Sequence, residues 1–395
     1  MFVPFIVGSL AVFLTYLTRY KQNGDGLKMA FFIIFVFLAL RYDYGNDYMG
    51  YLDGFSEITS YGSIFFTGER WESGWNALNF LFKPFGFFVL IGFTSLATCV
   101  VVYWFIRSYV PASYQWLAVF LYVFDPYQIL VNASAMRQNI AILLFLFATK
   151  FLYKKKMTIV YLLLTGLGAT FHKSAIVLLP LALLAYINFK INKIIAIVVI
   201  LMYVSLFLFG DQIFPYINMF IGAHFEKYAE SYLYGGGSKF NSGLGLIYAL
   251  FQLIAILYYA GIEFAHSTKE SESGQDIEFV PSLEDTELMP TDPNAAFLNV
   301  AARRLLFKLA IITFIFTPLG LQVMMIGRIN MYFTPVMMVV FPIILFTTKD
   351  RFFHLVFLSS LMAFTLFKFW AFFLSPVWRD KFGTYQTIFS APQWY

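Results

Sequence analysis

The sequence predicts an all-α, polytopic transmembrane protein of about twelve helices with long extracytoplasmic loops. Three observations lead there. The 395-residue chain is 60% hydrophobic, with 50 Phe and a mean hydropathy of +0.72. Residues 85–106, 194–210 and 309–327 carry no charge at all. The polar residues gather in a few short clusters instead of alternating along strands.

A hydrocarbon core about 30 Å thick needs roughly 20 residues of helix. Backbone groups in lipid must be satisfied within their own segment, which favours helices. The apolar runs are too uniform for barrel strands, which alternate over about 10 residues. Twelve segments are predicted in order: 2–18, 28–41, 84–106, 112–130, 136–153, 157–172, 174–189, 193–210, 244–262, 303–325, 329–347 and 352–373. The first has no basic region before it and no small-residue cleavage pattern after it, so it is expected to remain as a helix. The fourth and fifth are divided by Pro126 and the polar stretch reaching Asn132. Several segments are short, and about eleven or thirteen crossings are alternatives. The whole chain, 1–395, is expected to be one integral-membrane domain.

Orientation follows from Lys and Arg. With both termini outside, the cytoplasmic loops and segment ends hold Arg19, Lys21, Lys28, Arg107, Lys150, Lys154, Lys155, Lys156, Lys190, Lys193, Lys269, Arg303, Arg304, Lys308, Lys349 and Arg351. That is most of the 27 basic residues and agrees with the positive-inside tendency. The net charge of +5 reflects this bias, not a nucleic-acid surface. A single Cys99 excludes an internal disulfide and argues against cysteine-rich metal sites.

Three regions lie between segments. Residues 42–83 and 211–243 are expected as extracytoplasmic loops. The first holds Tyr44, Tyr48, Tyr51, Tyr61, Trp71 and Trp75. The second holds Tyr228, Tyr232, Tyr234 and the run Gly235, Gly236 and Gly237. Flat rings with polar edges suit the C–H faces of sugars, yet aromatic residues also collect at the headgroup level. Residues 263–302 are rich in acidic residues and proline and lack periodic apolar positions, so a weakly ordered cytoplasmic linker is expected.

On this topology the unusual polar residues converge on the outer face. Arg41 ends the second segment, and Asp43, Asn46 and Asp47 follow. Asp125 ends the fourth. Arg137 opens the fifth within NASAMRQN. His172 and Lys173 lie between the sixth and seventh, and Arg328 precedes the eleventh. Each has a structural alternative: Arg41 and Arg328 can snorkel to headgroups, His172 can bond a neighbouring helix, and Asp43 and Asp47 can tighten the turn at Gly45. Together, three arginines and a histidine form a candidate anion pocket, because the guanidinium fork matches phosphate oxygens. No phosphate-binding glycine loop, HExxH or GxSxG is present, and four His with one Cys are too few for a transition-metal cluster. No metal and no cofactor is expected.

These clusters resemble the EpsG family of O-antigen-polymerase-like membrane proteins. RYDYGNDYMGY at 41–51 resembles its R-x-x-x-G-x-D-Y-x-x-Y signature through Arg41, Gly45, Asp47, Tyr48 and Tyr51. ESGWNALNFLF at 72–82 resembles its Glu–aromatic segment, through Glu72 and Trp75. Asn132, Arg137, Gln138 and Ala141 resemble its N-x-x-x-x-R-Q-x-x-A pattern. FHKSA at 171–175 and GRINMYF at 327–333 resemble its histidine and late Arg–Tyr segments, the latter through Arg328 and Tyr332. The acidic linker and the C-terminal tail fall outside the resemblance.

The resemblance implies polymerisation of polyprenyl-diphosphate-linked oligosaccharides in capsule, exopolysaccharide or O-antigen synthesis. It implies action at the outer face of the bacterial cytoplasmic membrane. Undecaprenyl-diphosphate-linked oligosaccharide and membrane lipid would be the partners, with room for chain-length regulators or export proteins. In that scheme Arg137, Arg328 and Arg41 bind diphosphate. Asp47, Glu72 and His172 are candidate bases, and His172 suits proton transfer near neutral pH. Tyr48, Tyr51, Trp75 and Tyr332 are candidate glycan contacts. Three rival functions remain: O-antigen-ligase-like transfer, flipping of lipid-linked oligosaccharide, and a scaffold in an export complex.

Overall fold

Apolar runs become helices, and single prolines and glycines are carried inside several of them, such as Pro318 in Val300–Gln322 and Pro335 and Pro342 in Met324–Thr347. The computed structural model describes residues 1–19, 25–58, 60, 62, 71–152, 155–187, 193–224, 244–273, 300–322 and 324–391. The described residues are predominantly helical, and a short antiparallel pairing joins Arg41–Tyr42 to Gln386–Thr387. Among the described residues, four helices are long and apolar enough to cross a membrane: Phe87–Tyr109, Leu244–Gly261, Ile326–Thr347 and Arg351–Leu374. A fifth is possible if the bent pair Ala112–Phe124 and Tyr127–Ser134 counts as one span.

Other apolar helices are shorter, including Phe2–Leu17, Gly26–Ala39 and Thr158–Phe171. At about 1.5 Å per residue they fall short of a hydrocarbon core of about 30 Å. The all-α membrane class therefore stands, and the described helices do not establish twelve crossings. The predicted segment 174–189 is a 3₁₀ helix over Lys173–Ala185, with Pro180 inside it. The predicted segment 112–130 bends by 70°. The break lies at Pro126, which has no N–H to give, and a π-helical turn over Tyr127–Val131 follows.

The three regions between segments contain more helix than expected. Residues 42–83 form helices Tyr48–Glu57 and Ser73–Phe82, with residues 59, 61 and 63–70 outside the described part. Helix Lys193–His224 continues past residue 210, while 225–243, with its tyrosines and glycines, lies outside the described residues. Helix Leu244–Ser273 continues into the acidic region, of which 274–299 lies outside them too.

The chain divides into two compact units, residues 1–186 with 348–395, and residues 187–347. In the first unit, helix Phe2–Leu17 packs on Gly26–Ala39 and Gln115–Phe124. Helix Phe87–Tyr109 packs on Met136–Leu152, which packs on Thr158–Phe171. Asn139 Nδ2 donates to Thr98 Oγ1 at 2.8 Å across one of these seams. The chain end clamps the segment that follows the second helix. Tyr385 stacks on Phe37 at 4.9 Å, and its hydroxyl donates to the Phe37 carbonyl at 2.6 Å. Ile388 N–H donates to Leu40 O at 2.9 Å, and the Met1 amino group donates to Gly383 O at 2.6 Å.

In the second unit, helices Val300–Gln322 and Met324–Thr347 form a tight hairpin. A Cβ added at Gly320 would lie 2.8 Å from Gly327 Cα, so both glycines permit the close approach. Tyr259 stacks on Phe307 at 3.6 Å, and Phe316 on Phe333 at 5.6 Å.

Candidate functional site

Three helix ends converge in the first unit. Ala135 interrupts the chain between the helical turn Asn132–Ser134 and helix Met136–Leu152. Arg137 therefore sits in the first turn of that helix. A cation is unfavourable at a helix N-terminus. A carboxylate from elsewhere compensates: Arg137 Nη1 pairs with Glu72 Oε2. Glu72 is the N-cap of helix Ser73–Phe82, but its carboxylate does not cap its own helix. It turns instead to the third end, at His172, where helix Thr158–Phe171 stops in extended backbone.

The Lys173 backbone N–H donates to Glu72 Oε1 at 3.3 Å. His172 Nδ1 lies 3.5 Å from the same oxygen, within ion-pair range but without good hydrogen-bond geometry. The side chains of Arg137, Glu72 and His172 are 19%, 11% and 13% exposed, so the cluster is shielded yet reachable. Gly74 makes this meeting possible. A Cβ there would lie 2.8 Å from the Thr170 carbonyl oxygen. Burial works against the Glu72 charge, but the contact with His172 and the Arg137 guanidinium outweigh it, and its pKa is held down to about 2.

Aromatic rings fix the guanidinium. Arg137 Cζ lies 4.3 Å from the Trp71 ring centroid and 5.9 Å from that of Tyr51. Arg137 Nε approaches the Tyr51 hydroxyl at 3.5 Å. Tyr51 stacks on Trp71 at 5.3 Å and meets Trp75 edge-on at 5.1 Å. Gly54 leaves room for this arrangement, since a Cβ there would lie 2.6 Å from Trp71 Nε1.

Arg41 is buried against protein groups: it donates to the carbonyls of Leu38 and Ala133 and to Ser95 Oγ. Asp47 is exposed and precedes helix Tyr48–Glu57, with its backbone N–H donating to Ser134 Oγ at 3.2 Å. Asp43 and Gly45 both have positive φ, 42° and 133°. A Cβ on Gly45 would lie 2.6 Å from Ser134 Oγ, so this turn is pressed onto the segment leading to Arg137. Tyr48 and Tyr332 are fully buried, and Tyr51 and Trp75 nearly so; none presents an open ring face. The Tyr48 hydroxyl donates to Arg41 O at 3.1 Å. Arg328 is exposed on helix Met324–Thr347 of the second unit, with Tyr332 one turn on.

Two functional-looking features escaped the sequence reading. Trp71 was legible only as one of several loop aromatics, not as the ring beneath Arg137. Lys368 pairs with Asp125 at 2.7 Å, with side chains 18% and 8% exposed. The signal for it was a lone lysine inside an apolar helix.

The EpsG family model matches residues 27–387. No curated protein and no solved structure matches the chain.

Proposed function

The chain belongs to the EpsG family, a family of polysaccharide polymerases, and on that premise we propose that it polymerises polyprenyl-diphosphate-linked oligosaccharide repeats at the outer face of the cytoplasmic membrane. The observation that carries the reading is the meeting of Arg137, Glu72 and His172 at three helix ends. It supplies a cation with a planar fork and an imidazole beside a carboxylate, in a shielded but reachable place.

The reaction needs few groups. A hydroxyl of one lipid-linked repeat attacks the anomeric carbon of a glycan carried on lipid diphosphate. The new C–O bond forms as the bond to the diphosphate oxygen breaks, and the electron pair leaves with the diphosphate. The proton of the attacking hydroxyl passes to His172 Nε2. Arg137 stabilises the charge that grows on the departing diphosphate. Glu72, held down to about 2, is a weak base and serves to hold its two neighbours. Arg41, tied to Leu38, Ser95 and Ala133, is assigned to the shape of the 41–47 turn. Arg328 remains a diphosphate-binding candidate from its place in the sequence. Asp47, exposed beside that turn, is assigned to orienting the acceptor. The chain as a whole is taken as one integral-membrane domain.

The test is reconstitution of the full chain with a single lipid-linked repeat. A ladder of longer products is expected. One transfer onto a different acceptor and no ladder would favour ligation, and unchanged substrate crossing the bilayer would favour flipping.

A further inference from the structure

The guanidinium proposed to take a diphosphate is already occupied. Arg137 Nη1 is paired with Glu72 Oε2, and the ring of Trp71 covers one face at 4.3 Å. A carboxylate and a diphosphate compete for the same prongs of the fork. Anion binding at Arg137 must therefore displace Glu72, or meet it as a like charge. Displacement does not strand the carboxylate. Its other oxygen already accepts the Lys173 N–H at 3.3 Å and lies 3.5 Å from His172 Nδ1.

We propose that Glu72 is a latch shared between Arg137 and His172: it holds Arg137 in the unliganded site and passes to His172 when a lipid diphosphate takes the arginine. The proposal rests on the polymerase reading for its natural ligand, but its chemistry requires only a diphosphate. Before binding, the latch keeps a partly buried guanidinium neutralised. After binding, the carboxylate faces the imidazole as that ring accepts the proton of the attacking hydroxyl. Glu72 is thus a positioning residue. It acts through Arg137 on affinity and through His172 on turnover.

This double action predicts a split that simple structural support does not. In Glu72→Gln the competing charge is gone while the shape is kept. Binding of the diphosphate probe should tighten about tenfold, the effect of removing a negative charge beside the anion. Polymer formation should fall, because His172 loses its carboxylate. The experiment uses full-length protein in nanodiscs, with inorganic pyrophosphate and undecaprenyl diphosphate as separate probes. Tightening for both places the effect on the shared diphosphate. Tightening for undecaprenyl diphosphate alone would credit the lipid chain and overturn the latch. Equal or weaker binding of both probes by Glu72→Gln, at normal abundance, also overturns it. Should that variant fail to accumulate, Glu72→Asp withdraws the charge by one methylene and is expected to tighten pyrophosphate by about threefold; unchanged affinity overturns the latch. Tightened pyrophosphate binding in a protein whose wild type forms no ladder would uphold the latch and discard the polymerase reading.

Discussion

Arg137 and Glu72, 65 residues apart in sequence, form an ion pair between the N-terminal ends of two different helices. The pair is close to solvent without being open to it, at 19% and 11% exposure. An isolated surface pair would contribute about 0–1 kcal/mol and carry little meaning. Here the carboxylate also receives a backbone N–H and faces an imidazole.

The first prediction concerns the fork itself. Arg137→Lys keeps the charge, and lysine can reach the same carboxylate. It cannot offer two parallel donors to a diphosphate or lie flat on Trp71. The variant is expected to accumulate in membranes at the wild-type level but to give about a tenth of the polymer or less, leaving single-repeat lipid intermediates. Membrane abundance beside a glycan gel ladder decides it. A wild-type ladder at equal abundance would make Arg137 a structural residue.

The second concerns acid. The folded pKa of Glu72 lies at about 2, below its ordinary value of 4.5. A depressed carboxylate contributes stability that is fully present above the unfolded value. That contribution is lost as pH falls from 4.5 towards 2. Wild type should therefore unfold at a higher temperature than Glu72→Gln at pH 7, and the gap should close across this window. A gap that stays constant or widens on acidification would contradict the assignment.

The sequence showed where helices stop and which polar residues stand at their ends. Arg137, Glu72 and His172 were all visible that way. Their contact was not, because hydropathy reports the length of a segment and not which helix end meets which. The same limit hid the burial of Arg41. A residue at the end of an apolar run reads as a snorkelling cation, and only the fold places Ser95 and Ala133 around it. Aromatic residues misled differently. Tyr48 and Trp75 look like sugar platforms in a polar stretch, yet helices Tyr48–Glu57 and Ser73–Phe82 turn them into a core with Phe87 and Leu90. The tail, a mixed polar and aromatic stretch with no motif in it, gave no sign that it clamps the segment around Arg41.

A third prediction tests the turn that carries the 41–51 signature. Gly45 has φ +133° and touches Ser134. Gly45→Ala is expected to cost about 1–3 kcal/mol, from backbone strain and the clash together. Thermal unfolding measures it. Adding Ser134→Gly should recover at most part of the loss, since it relieves the clash but not the strain and also removes the hydroxyl that accepts the Asp47 N–H. Full recovery would mean that φ is not costly there.

A fourth concerns the second ion pair. Lys368→Met leaves Asp125 shielded and unpaired, and should destabilise by about 3–5 kcal/mol. The double variant Asp125→Asn with Lys368→Met should regain most of it. Unfolding of the two variants in detergent would show the difference, and equal destabilisation would remove the pair from the account.

The clamp between the chain end and the first two helices also constrains parity. Every passage through a bilayer moves a chain from one side to the other. The Met1 amino group and the Gly383 carbonyl lie 2.6 Å apart, and Ile388 is bonded to Leu40 beyond the second helix. In a membrane, these points share one side. The number of passages between Met1 and Gly383 must then be even, however the short helices are counted, and odd tallies drop out. Compartment-sensitive reporters fused at the two termini should light up together or stay dark together.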